Sequence, residues 1–155
     1  MDRFPLKIEL RIDWIDIDLF GHVNNIAILK YVQAARVNYL EAVGLMQSQA
    51  ETGIGPILAS TSCQFRKPMF YPGHVTVYST VDAIYNSSFR IRHAIYDKND
   101  VVTAEAHDII VLFDFRNQKK LTIPGDLRER IEQLQNTDRG HPSTVQRRQT
   151  VIRSD

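Results

Sequence analysis

The chain alternates between two hydrophobic periods. From Lys7 to Trp14 every second residue is apolar, with Ile8, Leu10, Ile12 and Trp14 on one face, and this predicts a strand. From Ile26 to Val43 the period lengthens to three or four. Ile28, Val32, Ala35, Tyr39 and Val43 form a stripe that Leu29 and Leu40 broaden, which predicts a long amphipathic helix. Asn24 or Asn25 is placed to cap it and Gly44 to stop it. At 1.5 Å per residue such a helix runs about 27–30 Å.

Period two then returns. Ile57, Ala59, Thr61, Cys63 and Phe65 share one face of a strand that ends near Pro68, and Val75, Val77, Ser79, Val81 and Ala83 share a face of the next. Asn86-Ser87 marks a turn before a third strand with Phe89, Ile91, His93 and Ile95 on one side. Lys98-Asn99-Asp100 marks another before a long strand from Val101 to Phe113. Such short turns permit antiparallel pairing only. Ile123-Pro124-Gly125-Asp126 leads into a short helix with Leu127, Ile131 and Leu134 on one side. From Asn136 the chain is polar and loses its period, so residues 1–135 are read as one domain and 136–155 as a mobile tail.

The fold class this predicts is α+β, an antiparallel sheet wrapped around a single long helix. One helix covers only part of a sheet face. The strand carrying Val101 to Phe113 and its neighbours should keep open edges, which a homodimer or larger homo-oligomer would cover.

Bulk properties narrow the chemistry. At 155 residues, 43% hydrophobic and 24% charged, the chain is an ordinary globular domain. Its net charge is +1, and four arginines against two aspartates after Gln135 leave the body at about −1, without the basic footprint of a nucleic-acid binder. The N-terminal residues lack a signal-peptide pattern, and no stretch approaches the roughly 18 apolar residues of a membrane span. The single Cys63 fits a reducing compartment, so a cytoplasmic location is expected.

The most informative segment is Asp16-Ile17-Asp18-Leu19-Phe20-Gly21-His22-Val23-Asn24-Asn25, between the first strand and the long helix. A helix start offers unpaired N–H groups and partial positive charge. A carboxylate beside it suits acyl transfer, in which a base or nucleophile acts while donors hold an oxyanion. Asp18 is the preferred catalytic residue, as general base on water or as nucleophile. Its structural alternative is an Asx turn supporting the helix start. Asp16 alternates with Asp18 and is read as structural. The same spacing fits the first, third and sixth positions of a calcium loop, but Phe20 and Ala27 occupy ligand positions and a strand precedes it, so that reading fails. His22 is assigned to packing or hydrogen bonding around the loop. The other histidines lie on separate elements, so no metal or cofactor is expected. Cys63 reads as a core residue. Arg66, Lys67, Arg90 and Arg92 are each ordinary solvated cations that together can offer charge to a phosphorylated ligand lying on the sheet.

At these residues the chain resembles the hotdog-fold acyl-CoA thioesterases, specifically the 4-hydroxybenzoyl-CoA thioesterase group. The likeness is carried by Arg11-Ile12, Asp16, Asp18 and Gly21-His22-Val23-Asn24-Asn25, followed by Tyr31, Ala35-Arg36 and Pro72-Gly73-His74-Val75, and covers roughly residues 5–135. The resemblance implies a hotdog fold and hydrolysis of an acyl-CoA thioester without a cofactor. Asp18 then matches the loop aspartate, and the backbone N–H of Asn25 polarises the thioester carbonyl. Gly21, His22, Val23, Asn24, Arg66 and Lys67 are assigned to substrate binding, at a groove between subunits of a homodimer or homotetramer.

Leu19 and Phe20 are bulkier than the residues usual after that aspartate. A second branch carries its acid within the helix, where this chain has only Glu41 near the far end. The Asp/His spacing of the fold's hydratases is absent. A thioesterase acting on acyl carrier protein and a non-catalytic acyl-CoA-binding protein remain the rival readings.

Overall fold

The computed structural model describes residues 4–137. Its elements follow in the order β1 (Leu6–Arg11), a 3-10 turn (Trp14–Asp16), α1 (Asn25–Ala42), α2 (Leu45–Thr52), β2 (Ile54–Phe65), β3 (His74–Ile84), β4 (Ser88–Tyr96), β5 (Val102–Asp114), β6 (Lys119–Lys120) and α3 (Gly125–Thr137). The strands form one antiparallel sheet in the order β1-β3-β4-β5-β2, with β6 paired to the end of β5. The helix and the later strands fall where hydrophobic periodicity placed them. The turns at Asn86-Ser87 and Lys98-Asn99-Asp100 do join antiparallel neighbours.

Several expectations need correction. The strand β5 is interior, flanked by β4 and β2, and among the described residues the open edges belong to β1 and β2. The helix α2, between left-handed Gly44 and Gly53, occupies a segment that periodicity left unassigned. The helix α3 continues to Thr137, past the boundary expected at 135, because a helix's last turn carries no apolar signature of its own. The remainder of the expected tail, 138–155, lies outside the described residues.

Two bulges also break the simple alternation. The register of β2 shifts between Leu58 and Ser60, and that of β3 between Val81 and Ala83. Past the first bulge Thr61 and Cys63 pair with core-facing Asp108 and Ala106, whereas Ile57 pairs with outward Val111, so Ile57 does not share their face. Ala83 likewise leaves the face of Val75 to Val81 and pairs with outward Arg90. Each extra residue bends its strand and adds twist, which curls the sheet over α1.

The buried stripe of α1 divides the core. Around its first half, Ala27, Tyr31 and Ala35 pack with Ile12, Val75, Ile95 and Ala106. Around its second half, Tyr39 and Val43 pack with Phe89, Ile91, Ile110 and, from α3, Leu127 and Ile131. Each fully buried large apolar side chain contributes about 1.5–3 kcal/mol. Between the clusters runs a polar seam on three adjacent strands. The Nε2 of His93 lies 3.0 Å from Asp108 Oδ2, its Nδ1 lies 2.8 Å from Ser79 Oγ, and Arg36 of α1 donates to the same Asp108 oxygen at 3.1 Å. Burial alone pushes the Asp108 carboxyl up. The contacts with His93 and the Thr61 hydroxyl, with the charges of His93 and Arg36, outweigh it and hold the group below its usual range.

Candidate active site

The segment between β1 and α1 is fixed from both ends. Asp16 is 4% exposed. Its carboxylate accepts the Tyr31 hydroxyl at 2.9 Å and the Asp13 N–H at 3.2 Å, and Lys30 Nζ lies 3.3 Å away. Its carbonyl accepts both the backbone N–H and the side-chain amide of Asn24, each at 2.8 Å. Burial raises the Asp16 carboxyl, but Tyr31, the Asp13 N–H and Lys30 together hold it below the ordinary value. The Tyr31 phenol is pushed up, first by burial and then by this carboxylate. Asp16 thus faces away from Asp18, as its alternation predicts.

Beyond Asp16 the chain makes a small hairpin. Ile17 bridges Val23, the Asp18 N–H donates to the His22 carbonyl at 2.8 Å, and Gly21 turns the tip at φ 77°. Glycine takes that left-handed conformation without the steric cost of a Cβ. Leu19 and Phe20 stand at the tip in solvent. The carboxylate of Asp18 accepts the N–H groups of Phe20 at 2.8 Å and His22 at 3.1 Å, both on Oδ1. This is the Asx-type support weighed as its structural alternative. It leaves Oδ2 without a protein donor among the described residues, so anchoring and chemistry are compatible in one side chain.

Asn24 caps α1, its Oδ1 accepting the Ala27 N–H at 2.8 Å. Asn25 is the first helical residue, and its N–H has no acceptor among the described residues. A cleft of about 320 Å³ opens there, and Asp18, His22, Val23, Asn25, Arg66 and Lys67 all line it, with Ile28, Phe65, Pro68 and Met69. Its far wall is the segment after β2. That segment is held by the Val23 N–H on the Met69 carbonyl at 2.8 Å, and by the N–H groups of Arg66 and Lys67 on the Thr103 carbonyl. The geometry suits attack on a carbonyl: a fixed carboxylate, a free N–H at a helix start, and cations at the mouth.

Six of the residues expected at the site therefore converge on one cleft. Gly21 and Asn24 do not line it, because one shapes the hairpin and the other caps the helix. The ring of His22 packs edge-on against Phe70 at 5.2 Å, the packing role expected for it. Arg66 is ion-paired with Glu105. Arg90 and Arg92 do not join Arg66 and Lys67. Arg90 grips Asp82 at 2.7 and 3.1 Å, and Arg92 stacks over the Phe4 ring at 5.1 Å. Sequence reasoning did not place Ile28, Phe65, Pro68 and Met69 at the site: the first two were read only as helix-stripe and strand-face residues, and the last two had no signal beyond following a strand. It also missed the Tyr31–Asp16 bond, signalled only by a polar-tipped residue within a buried stripe. Among the described residues no three His, Cys, Asp or Glu side chains are grouped as a metal site requires, and no helix is long and apolar enough to cross a membrane.

Comparison with known proteins follows the same lines. A family described as the thioesterase-like superfamily matches residues 12–131. The long-chain acyl-CoA thioesterase FadM of Escherichia coli is 25% identical over 130 residues, covering 83% of this chain and 98% of that protein. A thioesterase from Thermus thermophilus, solved in complex with coenzyme A and zinc, superposes with a TM-score of 0.77 at 24% identity, covering 88% of this chain and 98% of that one. A DHNA-CoA thioesterase from Staphylococcus aureus superposes at 0.73 with 15% identity, covering 84% and 90%. The curled antiparallel sheet around a long helix is the hotdog fold of these enzymes.

The Asp16 brace has a pH signature. Its folded pKa is depressed, so its stabilisation is fully present above the ordinary carboxylate value of 3.8 and is lost as pH falls through the lower folded value. In urea unfolding, Asp16→Asn should be less stable than the parent at neutral pH, and the difference should shrink below about pH 3.8. A deficit that stays constant through acid would contradict the brace.

Proposed function

Since the chain belongs to the thioesterase-like superfamily, we propose that it hydrolyses an acyl-CoA thioester to the free acid and CoA, as a member of the 4-hydroxybenzoyl-CoA thioesterase group. The observation that carries this reading is the shared wall of the cleft, where Asp18 and the free N–H of Asn25 stand together. The similarity to FadM supports acyl-CoA as the substrate class, and the coenzyme A in the Thermus thermophilus relative supports a CoA site on this fold.

In this reading Asp18 takes a proton from water, and the hydroxide attacks the thioester carbonyl carbon. The oxyanion forms against the Asn25 N–H, where a fixed donor contributes about 3–4 kcal/mol. The C–S bond then breaks, and the departing thiolate receives the proton that Asp18 holds. Direct attack by Asp18 is the variant, passing through an anhydride that water opens. Both routes need only water. Lys67, which has no ion pair among the described residues, and Arg66 at the mouth receive the CoA phosphates.

The assembly is a homodimer, or a tetramer of two such dimers. Among the described residues the outer edge of β2 is unpaired, and it exposes Ile57, Leu58 and Phe65, which suits pairing with a second copy. The location is cytoplasmic, in keeping with the unpaired Cys63.

Asp18→Asn retains an oxygen for the loop N–H groups and so should keep the thermal unfolding midpoint. Its kcat for thiol release should fall by about 100-fold or more. Near-parental turnover would remove Asp18 from the chemistry. Thiol release from carrier-protein thioesters in preference to every acyl-CoA would move the substrate to the carrier protein. Tight CoA binding with no release from any substrate would make the protein a binding module. Sedimentation should give at least a dimer, and a fully active monomer would contradict the β2 pairing.

A further inference from the structure

A second groove, of about 270 Å³, runs along α1 beside β2. It is lined by Ile26, Leu29, Lys30, Gln33 and Arg36 of the helix and by Thr61 of the strand. The helical residues recur every three or four positions, so they form one continuous face that begins beside Asn25. That face changes character along its length. Ile26 and Leu29 are apolar at the end nearest the Asp18 cleft, whereas Gln33, Arg36 and Thr61 are polar at the far end. Lys30, between them, is engaged by Asp16.

Arg36 is the unusual member. Its side chain is only 12% exposed, and among the described residues it makes one ion pair, Nη1 to Asp108 Oδ2 at 3.1 Å. Asp108 is fully buried and also bonded to His93, so it holds the guanidinium firmly. A guanidinium carries five N–H donors. Its Nε and Nη2 have no hydrogen-bond partner among the described residues, and the side chain lines the groove. A buried ion pair accounts for Asp108 Oδ2. It does not account for a half-used guanidinium opening onto a groove beside Gln33 and Thr61. Covering those donors with plain hydrocarbon would cost free energy, and an oxygen placed there would recover it.

We propose that this groove takes the acyl group and that Arg36, with Gln33, selects acyl chains bearing an oxygen function near their far end, a hydroxyl, oxo or carboxylate group. The inference rests on the thioesterase reading above. The geometry sets a length as well. Asn25 and Arg36 are separated by about 16 Å along the axis at 1.5 Å per residue. Helical side chains lean toward the N-terminus, which brings the guanidinium nearer. A short acyl group does not reach it, and a medium-length chain does.

The test compares saturated acyl-CoAs with their ω-hydroxy and ω-carboxy counterparts of equal length, using the full chain and thiol release. The parent should favour the oxygenated member by about tenfold or more in kcat/KM. Arg36→Met should bring that ratio close to one, and Gln33→Leu, at an exposed position, should lower it in part. Where Arg36→Met fails to fold, Arg36→Lys keeps a cation for Asp108 but loses the planar fork, and should also reduce the ratio. Equal kcat/KM for matched pairs in the parent, or an unchanged ratio in Gln33→Leu and Arg36→Lys, overturns the inference. If no acyl-CoA is hydrolysed, the thioesterase reading itself fails. Calorimetric Kd values for the same matched pairs then decide the selectivity separately.

Discussion

Water reaches almost none of Asp16, so its carboxylate stays charged only because the protein supplies the donors that water would. Those donors come from opposite sides of the loop: Tyr31 and Lys30 from α1, and the Asp13 N–H from the turn after β1. The carbonyl of the same residue holds both nitrogens of Asn24, the cap of α1. One residue therefore sets how the helix start sits against the loop. Asp18, two positions on, projects to the other side and into the cleft. Its hairpin tip is bare to solvent and contributes little restraint, so the carboxylate's position rests on Asp16 and on the loop N–H groups that Asp18 itself binds.

The rest of the molecule completes the cleft from a distance. The bulged β2 and β3 curl the sheet around α1, and the chain leaving β2 returns beside the helix start, where Met69 accepts the Val23 N–H. The polar seam from Ser79 through His93 and Asp108 to Arg36 separates the two apolar clusters. A buried ion pair is weak evidence for stability, because desolvation offsets most of its attraction. Selection of an acyl oxygen gives the seam a use that stability does not.

Much of this was legible in the sequence, for physical reasons that also mark its limits. Strand and helix periods report which face a residue occupies, so α1 and the alternating strands emerged directly. Periods do not report neighbours. The placement of β2 against the far edge of β5, rather than beside β3, depends on partners distant in sequence. The bulges at Ala59 and Asp82 are single-residue departures that leave no mark in the composition. That Asp18, Arg66 and Lys67 share a cleft was legible from a carboxylate beside a helix start and cations after a strand, whereas Asn25 was singled out through the family resemblance. Gly21 and Asn24 do not line the cleft, since one turns the hairpin and the other caps α1. Arg90 and Arg92 resembled Arg66 in sequence and differ only in where their strands carry them. The pairing of Arg36 with Asp108, separated by 72 positions, was beyond any local pattern.

In the proposed reaction the helix start at Asn25 and the carboxylate of Asp18 act on one carbonyl. A crystal structure with a non-hydrolysable acyl-CoA analogue tests it most directly. The analogue's carbonyl oxygen should lie about 2.7–3.1 Å from the Asn25 nitrogen, with Asp18 Oδ2 facing the carbonyl carbon directly or through one water. A carbonyl bound away from the α1 start, with Asp18 still turned only to its own loop, would contradict the account.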